Sequence, residues 1–206
     1  MLEKSQVFGA LLAGGRSSRF GSNKAYARLL GRPLIYHVME RARPQVAGLV
    51  VAANAEIDID GLRDLPTLAD VPPGGRGPLA GILAALEWAV SHAPGVRCIA
   101  TFPVDSPLFP HDLVARLAER SEGGTAAVIA QGGDRLQPVF GLWPVGLIAA
   151  ARRYLIEQRR SALGEFALFV DARVVPFAGG PPDPFVNINR QEDLAKLEGA
   201  VGHDRR

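Results

Sequence analysis

The chain has 206 residues, of which 48% are hydrophobic and 21% are charged, and its formal net charge is +2. This length suits one domain with a full core, and the composition is that of an ordinary globular protein. The basic residues form no dense run and are not interleaved with aromatic residues, which argues against nucleic-acid binding, and no apolar stretch is long enough to span a bilayer.

Apolar runs of strand length alternate with amphipathic segments. The N-terminal MLEKSQ lacks the apolar core of a signal peptide, so a cytoplasmic protein is expected. The predicted strands cover 7–13, 48–53, 96–102, 125–130 and 136–143, and the predicted helices cover 33–43, 79–90, 110–120, 144–158 and 190–197. This order predicts a three-layer α/β/α sandwich with a mostly parallel sheet and ligands beyond the carboxyl ends of the strands. Residues 1–198 would form a single domain and 199–206 a flexible tail.

The segment 11–24, LLAGGRSSRFGSNK, joins the first predicted strand to a glycine-rich turn that carries Arg19 and Lys24. Gly14 and Gly15 can adopt backbone conformations that other residues rarely take, so main-chain N–H groups can approach an anion closely. The cations would then neutralise its charge. The pattern favours a phosphate-binding loop, although glycines and cations also occur together in plain surface turns.

The spacing excludes two well-known phosphate motifs. Five residues lie between Gly15 and Gly21, and Ala25 follows Lys24, so the P-loop pattern G-x-x-x-x-G-K-[ST] is not matched. The same glycines do not fit the dinucleotide pattern G-x-G-x-x-G. A kinase-like or dehydrogenase-like site is therefore not expected here.

A second motif, PVDSP, follows the apolar strand VRCIATF. An aspartate at the end of a buried strand, stiffened by Pro103 and Pro107, suits a hard cation such as Mg²⁺, which prefers one or two carboxylates plus substrate phosphates. Asp105 is therefore the predicted metal ligand. Because Asp-Ser-Pro is also good turn chemistry, a simple turn aspartate is the alternative.

Between these two motifs lie Asn54, at the end of VVAAN, Asp70 in LADVPP, and the segment GRGPLAGI. Asn and Asp can bind the polar edge of a base or the hydroxyls of a ribose. Taken singly, each of these residues is more often a turn residue than a ligand. The glycines around Pro78 allow close backbone approach at the start of a helix, where N–H groups favour a polar or anionic ligand.

In this order and at this spacing, LAGGRSSRFGSNK, VVAAN, GPLAGI, FPVDSPLFP, LQPVFGLW and FVNIN resemble the motifs of the molybdenum cofactor guanylyltransferases. The resemblance covers residues 7–198. It implies a Rossmann-like nucleotidyltransferase that joins GMP from GTP to the molybdopterin form of the cofactor and releases pyrophosphate. GTP and molybdopterin would be the substrates, Mg²⁺ the metal, and molybdenum-insertion proteins and molybdoenzyme chaperones the further partners.

The resemblance, together with the residue types and positions described above, predicts roles for individual residues. The nucleotide would be held by Leu12, Ala13, Gly14, Gly15, Lys24, Asn54, Asp70, Pro78, Leu79, Gly81 and Asp105. The pterin substrate would be held by Gln137, Arg160, Asn187 and Asn189. The catalytic set would be Arg19, Lys24 and Asp105, with Asp105 on the metal and the two cations compensating the charge of the leaving pyrophosphate.

The chain departs from the family pattern at three positions. Asn23 stands where the family usually has Asp, Phe20 where it usually has Met, and Val104 where cysteine is frequent. The Asn23 difference removes a charge pair with a basic group but leaves Lys24 in place.

Two other functions fit parts of the pattern. One is a related nucleotidyltransferase that uses CTP or a sugar-phosphate acceptor; the cytidine enzymes tend to read LAAG, so Gly14 favours GTP. The other is a non-catalytic protein that binds GTP and delivers the cofactor, against which Asp105 argues.

The remaining reactive side chains fit catalysis without a general base. The histidines, at 37, 92, 111 and 203, fall within or beside predicted helices or in the tail, and a phosphate nucleophile needs no base because it is already ionised near neutral pH. Cys98 lies in an apolar run and reads as a buried small hydrophobe. Arg159 and Arg160 could bind the phosphate or dithiolene end of a pterin or could form a solvated pair.

Overall fold

The structure is a computed structural model that describes residues 1–14, 24–55, 57–74, 77–178, 180 and 183–203, without the side chains of Lys24 and of residues 200–203. The strands are β1 (Val7–Leu12), β2 (Arg28–Leu29), β3 (Arg32–Pro33), β4 (Gly48–Ala52), β5 (Thr67–Leu68), β6 (Cys98–Pro103), β7 (Val128–Gly132), β8 (Arg135–Pro144) and β9 (Arg173–Phe177). The α-helices are α1 (Leu34–Ala42), α2 (Pro78–His92), α3 (Leu113–Arg120), α4 (Ile148–Arg152), α5 (Leu163–Phe169) and α6 (Gln191–His203).

Seven of these strands form one sheet, in the order β5-β4-β1-β6-β8-β7-β9, and β2 pairs with β3 in a separate hairpin. Strand β1 is parallel to β4 and to β6, and β7 is parallel to β9. Strand β8 is antiparallel to its neighbours β6 and β7. The prediction of a mostly parallel sheet is confirmed.

The sheet is apolar on both faces, as covered parallel sheets are. Along β1, Val7 and Leu11 belong to one core cluster, whereas Ala10 and Leu12 belong to another. The first cluster contains the buried sides of α1 and α3, and the second contains those of α2, α4 and α5. Alternating residues of a strand point to opposite faces, so the two clusters mark the two helical layers of the predicted sandwich.

Some boundaries differ from the prediction. The predicted helix 144–158 is interrupted: a 3₁₀ turn at Val145–Leu147 leads into α4, and a π-helical turn follows at Arg153–Glu157. Helix α6 continues to His203, six residues past the predicted end at Leu197. Strand β9 was not predicted because it contains Pro176 and lies at the sheet edge, where its apolar signal is weak.

Among the described residues, no helix combines the length and the apolar character that a bilayer crossing requires.

A buried hydroxyl joins β6 to β8. Thr101 is 1% exposed, and its hydroxyl donates a hydrogen bond to the carbonyl of Val139 at 2.8 Å. The same oxygen accepts hydrogen bonds from the backbone N–H of Gly141 and from Nε1 of Trp143, both at 3.2 Å. One donor and two lone pairs are all that a hydroxyl offers, so this group is fully used.

Replacing Thr101 with valine keeps the side-chain shape but leaves two buried N–H donors without an acceptor. We expect Thr101→Val to lower the free energy of unfolding by about 2 kcal/mol or more, because each unsatisfied buried group costs about 1–3 kcal/mol. Urea titration followed by tryptophan fluorescence measures this change.

Thr101→Ser is the matched control, since it keeps the hydroxyl and removes one methyl group, at a cost of about 1 kcal/mol. A valine variant as stable as the serine variant would show that the hydroxyl contributes nothing.

Candidate functional site

Three parallel strands end side by side. In the register of the sheet, Leu12 at the end of β1 lies opposite Ala52 of β4 on one side and Pro103 of β6 on the other. The alignment continues past the strands, because the backbone N–H of Ala13 donates to the carbonyl of Ala52 at 2.9 Å. The segments that follow β1, β4 and β6 therefore leave the sheet at one place, which we call the carboxyl edge.

The structure brings several predicted nucleotide-binding residues to the carboxyl edge. They are the buried Leu12 and Ala13, the exposed Gly14 and Asn54, and the half-buried Asp105. Leu12 and Ala13 are each 8% exposed, so they can offer a ligand little beyond their backbone.

Asn54 and Asp70 form a reciprocal pair at this edge. Nδ2 of Asn54 donates to Oδ2 of Asp70 at 2.6 Å, and the backbone N–H of Asp70 donates to Oδ1 of Asn54 at 3.0 Å. Asp70 is 8% exposed, and its other oxygen, Oδ1, has no hydrogen-bond partner within the described part of the chain. The pair holds a buried carboxylate in one orientation with one acceptor oxygen left over.

Gly14 and Gly81 both lie close to Oδ1 of Asp70. A Cβ built on Gly14 would lie 4.0 Å from Oδ1 of Asp70, and one built on Gly81 would lie 3.5 Å from it. The same Cβ on Gly81 would stand 2.9 Å from Cβ of Ala52, so only glycine lets α2 approach the strand ends this closely. Oδ1 of Asp70 thus lies between the turn after β1 and the first turns of α2.

The start of α2 contributes backbone rather than side chains. Pro78 occupies the first turn of the helix, where its missing N–H costs nothing. Leu79 is fully buried in the core, so besides the half-buried ring of Pro78 this segment can offer a nucleotide only main-chain groups.

Asp105 and Asn187 are brought together from distant parts of the sequence. Asp105 follows β6, and its carbonyl accepts a hydrogen bond from the backbone N–H of Ile188 at 2.8 Å. The next residue, Ser106, is fully buried and donates its hydroxyl to Oδ1 of Asn187. Sequence reasoning placed Asp105 and Asn187 in one site, but it read Ser106 only as turn chemistry.

Gln137 and Asn189 lie on segments that also reach this region. Strand β8 runs antiparallel to β6, with Cys98 opposite Pro144, so the earlier residues of β8, including the half-buried Gln137, extend toward the carboxyl edge. Asn189 is exposed, and its backbone N–H donates to Oδ2 of Asp193 at 2.8 Å at the start of α6.

Arg160 is engaged in a local cluster. Its Nη2 lies 2.6 Å from Oε2 of Glu165, which also accepts the hydroxyl of Tyr154 at 3.1 Å. The hydrogen bonds from Arg160 and Tyr154 lower the pKa of Glu165. The described contacts join Arg160 to this cluster rather than to Asn187. The adjacent Ser161 carbonyl lies 3.2 Å from a Cβ built on Gly77, so this turn borders the start of α2.

Part of the predicted phosphate loop falls outside the described residues. Gly15 and Arg19 lie there, and of Lys24 the structure describes only the backbone, in the 3₁₀ turn Lys24–Tyr26.

The donor set restricts the kind of metal site that the chain can form. Within the described ranges, no three His, Cys, Asp or Glu side chains cluster in a way that could hold a metal ion. Asp105, half-buried at the carboxyl edge, supplies a hard oxygen ligand, which fits an ion that takes one carboxylate and completes its shell with substrate phosphates and water.

Cys98 is not a candidate nucleophile. It is fully buried, and burial raises the pKa of its thiol to about 12 against the opposing effect of Arg97, so the thiol stays protonated. The prediction that Cys98 acts as a small buried hydrophobe is confirmed.

Comparison with known proteins agrees with this geometry. Residues 9–171 match the family described as the MobA-like NTP transferase domain. A molybdenum cofactor guanylyltransferase from Rhizobium rhizogenes is 42% identical over 193 residues, covering 91% of this chain and 89% of that protein. A protein of the same name from Cereibacter sphaeroides is 39% identical over 201 residues, covering 97% and 99%.

A solved structure shares the fold. The molybdopterin-guanine dinucleotide biosynthesis protein A from Archaeoglobus fulgidus superposes with a TM-score of 0.74 at 23% sequence identity, covering 95% of this chain and 99% of that one. The relatives and this fold cover nearly the whole chain, and the family match covers most of it. The chain is therefore a member of the MobA-like NTP transferase family.

Proposed function

We propose that this chain transfers GMP from GTP to the phosphate of molybdopterin and releases pyrophosphate. The observation that carries the proposal is that one sheet edge brings together Gly14, the Asn54–Asp70 pair, and Asp105 beside Asn187. Polar groups that could contact a nucleoside are therefore close to a carboxylate suited to phosphates. The name shared by the relatives supports the choice of GTP and molybdopterin as substrates.

The Asn54–Asp70 pair is proposed to bind the nucleoside. A guanine presents N–H donors at N1 and at its 2-amino group, and a carboxylate offers only acceptors, so the two are complementary. Asn54 occupies Oδ2 of Asp70 and leaves Oδ1 between Gly14 and Gly81. Backbone groups of Leu12 to Gly15, of Leu79 and of Gly81, together with the ring of Pro78, would line the rest of the proposed nucleoside site.

NTP transferases of this kind use a divalent metal, and we propose that the metal is Mg²⁺ held by Asp105. Support comes from the donor set of the described residues: Asp105 is half-buried, no three ligand side chains cluster among those residues, and Mg²⁺ is often bound by one carboxylate together with phosphates and water. When bound, Mg²⁺ would neutralise negative charge on the phosphate oxygens.

The reaction needs positioning more than proton transfer. An ionised oxygen of the molybdopterin phosphate forms a bond to the α-phosphorus of GTP, and the bond from that phosphorus to the oxygen bridging to the β-phosphate breaks. The electron pair leaves with pyrophosphate. No base is required because the attacking phosphate is already deprotonated near pH 7. Arg19 and Lys24 are proposed to stabilise the charge of the leaving pyrophosphate.

The acceptor is proposed to bind on the other side of Asp105, against Gln137, Asn187 and Asn189. Arg160 would join them by exchanging its ion pair with Glu165 for the phosphate of the pterin. Both partners of that ion pair are largely exposed, so the exchange is inexpensive. We also propose that the protein is cytoplasmic. It would pass its product to molybdenum-insertion proteins or molybdoenzyme chaperones.

The substrate assignment predicts the nucleotide selectivity of the purified protein. With Mg²⁺ and molybdopterin present, we expect pyrophosphate release with GTP and little with CTP, ATP or UTP, because only guanine presents two adjacent N–H donors, at N1 and at the 2-amino group, to the acceptor oxygen of Asp70. The measurement is pyrophosphate release in a coupled pyrophosphatase assay. A preference for CTP, or the absence of release with every nucleotide, would contradict the proposal.

The metal assignment predicts a severe loss in Asp105→Ala and Asp105→Asn. We expect both to lower kcat by about a hundredfold or more, since one charged transition-state contact is worth about 3 kcal/mol. Folding should persist, because the contact of residue 105 with Ile188 uses the backbone carbonyl. The measurements are pyrophosphate release at a series of Mg²⁺ concentrations and thermal unfolding.

Glu119→Ala is the control for this pair of variants. Glu119 is an exposed carboxylate that lines a surface pocket with Val7, at the amino end of β1 and away from the carboxyl edge. Its removal should leave kcat unchanged. Transfer at the wild-type rate by Asp105→Ala would refute the metal assignment.

The proposed place of the base predicts the effect of a methyl group at Gly14. A Cβ there would lie 3.9 Å from the Ala52 carbonyl and 4.0 Å from Oδ1 of Asp70, so alanine fits the nucleotide-free protein. Its methyl group would nevertheless occupy space beside Oδ1 of Asp70, the oxygen that is proposed to bind guanine. We expect Gly14→Ala to raise the KM for GTP about tenfold and to improve the relative use of CTP, with an unchanged melting temperature. Initial rates with each nucleotide check this.

Gly146→Ala is the matched control, because a Cβ at Gly146 meets nothing within 4 Å and this residue lies after β8, at the opposite edge. An unchanged KM for GTP in Gly14→Ala would place the base elsewhere.

A further inference from the structure

Ser106 carries a buried hydroxyl that contacts Asn187, one of the residues of the proposed site. It follows Asp105, is 0% exposed, and donates its hydroxyl to Oδ1 of Asn187, which lies 81 residues later in the sequence. Asn187 itself is exposed. A hidden side chain thus holds one end of an amide whose other end faces outward.

The backbone around this contact is fixed on both sides. The carbonyl of Asp105 accepts the N–H of Ile188 at 2.8 Å, which joins the turn after β6 to the segment that carries Asn187. Phe185 and Ile188, on either side of Asn187, are 2% and 0% exposed. The Phe185 ring packs on Phe140 with centroids 4.9 Å apart. Because the backbone is anchored, the rotation of the amide is the freedom that the Ser106 hydroxyl removes.

The two ends of an asparagine amide have nearly the same shape but opposite hydrogen-bonding roles. Ser106 uses Oδ1 of Asn187, which leaves Nδ2 and its two N–H groups for another partner, on a segment that the Ile188 N–H ties to the carbonyl of Asp105. Within the described residues, no protein group accepts from Nδ2. An N–H donor beside a carboxylate suits the oxygen of a phosphoryl group, whereas the carbonyl end would repel it.

We propose that Ser106 is a positioning residue that orients the Asn187 amide as a hydrogen-bond donor to the reacting phosphoryl group. The inference rests on the proposed nucleotidyl transfer and assigns Ser106 a part in it. Without the hydroxyl, the amide is free to flip, and a fraction of the molecules presents an oxygen to the phosphate. The loss appears in kcat rather than in the KM for GTP, because the nucleoside contacts lie elsewhere.

A double-mutant cycle tests this role. We expect Ser106→Ala to lower kcat about tenfold, on the order of the one hydrogen bond that is lost. Asn187→Ala should lower kcat about a hundredfold, as the removal of a transition-state donor does. In the Asn187→Ala background, Ser106→Ala should have no further effect, because it acts only through the amide. A tenfold loss that persists in that background would overturn the proposal.

Asn187→Asp tests the donor assignment separately. The aspartate keeps an acceptor for Ser106 but replaces the outward N–H groups with an oxygen. We expect it to be at least as inactive as Asn187→Ala; near-normal activity would show that Asn187 acts as an acceptor and would overturn the proposal.

Ser121→Ala separates positioning from structure. Ser121 is also 0% exposed, and its hydroxyl donates to the carbonyl of Ala118 at 2.7 Å after α3, away from the carboxyl edge. Its replacement should lower the melting temperature and leave kcat unchanged. If Ser106→Ala likewise changed only the melting temperature, its role would be structural.

A readout without turnover distinguishes this inference from the proposed function. In ¹H–¹⁵N spectra, the side-chain amide of Asn187, assigned by its absence in Asn187→Ala, should shift on addition of magnesium pyrophosphate in the wild type. The shift should weaken clearly in Ser106→Ala. If the wild type releases no pyrophosphate but the amide behaves in this way, the transfer reaction is wrong and the positioning stands. An amide that responds equally in both proteins refutes the positioning of Asn187 by Ser106.

Discussion

The parallel pairing of β1 with β4 on one side and β6 on the other is the constraint on which the rest of the molecule depends. Leu12 faces Ala52 and Pro103 across the two ladders, so the segments after three strands leave the sheet together. Parallel strands need helical crossovers, and these crossovers cover both faces with apolar side chains. The proposed site therefore lies at the carboxyl edge, where backbone and polar groups are no longer used by the ladder.

Buried polar contacts fix the side-chain orientations that apolar packing leaves undetermined. Apolar packing sets distances between layers, but it does not orient a carboxylate or an amide. The Asn54–Asp70 pair does this on one side of Asp105, and the Ser106–Asn187 contact does it on the other. Each is worth little to the overall stability, yet each fixes which atom of its side chain would meet the proposed ligand. Contacts of this kind hold the side chains of the proposed site in one orientation and do not cover the site.

Much of the fold was predictable from the sequence because the signal is local. Continuous apolar runs predicted the central strands, and 3.6-residue periodicity predicted α2 and α3. Strand β9 was not predicted because Pro176 and its position at the sheet edge weaken its apolar pattern. The π-helical turn after α4 was not predicted because it has no signature in composition. The site motifs were recognisable as strand-end residues. Ser106 was not, since its partner lies 81 residues away and Asp-Ser-Pro was consistent with a plain turn.

The sequence by itself determined the layered α/β fold, the strand-end positions of Gly14, Asn54 and Asp105, and the resemblance to guanylyltransferases, because residue type and spacing carry that information locally. Only the tertiary structure decided which oxygen of Asp70 stays available, that Gly81 admits α2 to the strand ends, and that Ser106 holds the Asn187 amide. These facts depend on the approach of atoms from separate segments. Such distances are set by packing of the whole chain and leave no trace in any one stretch of it.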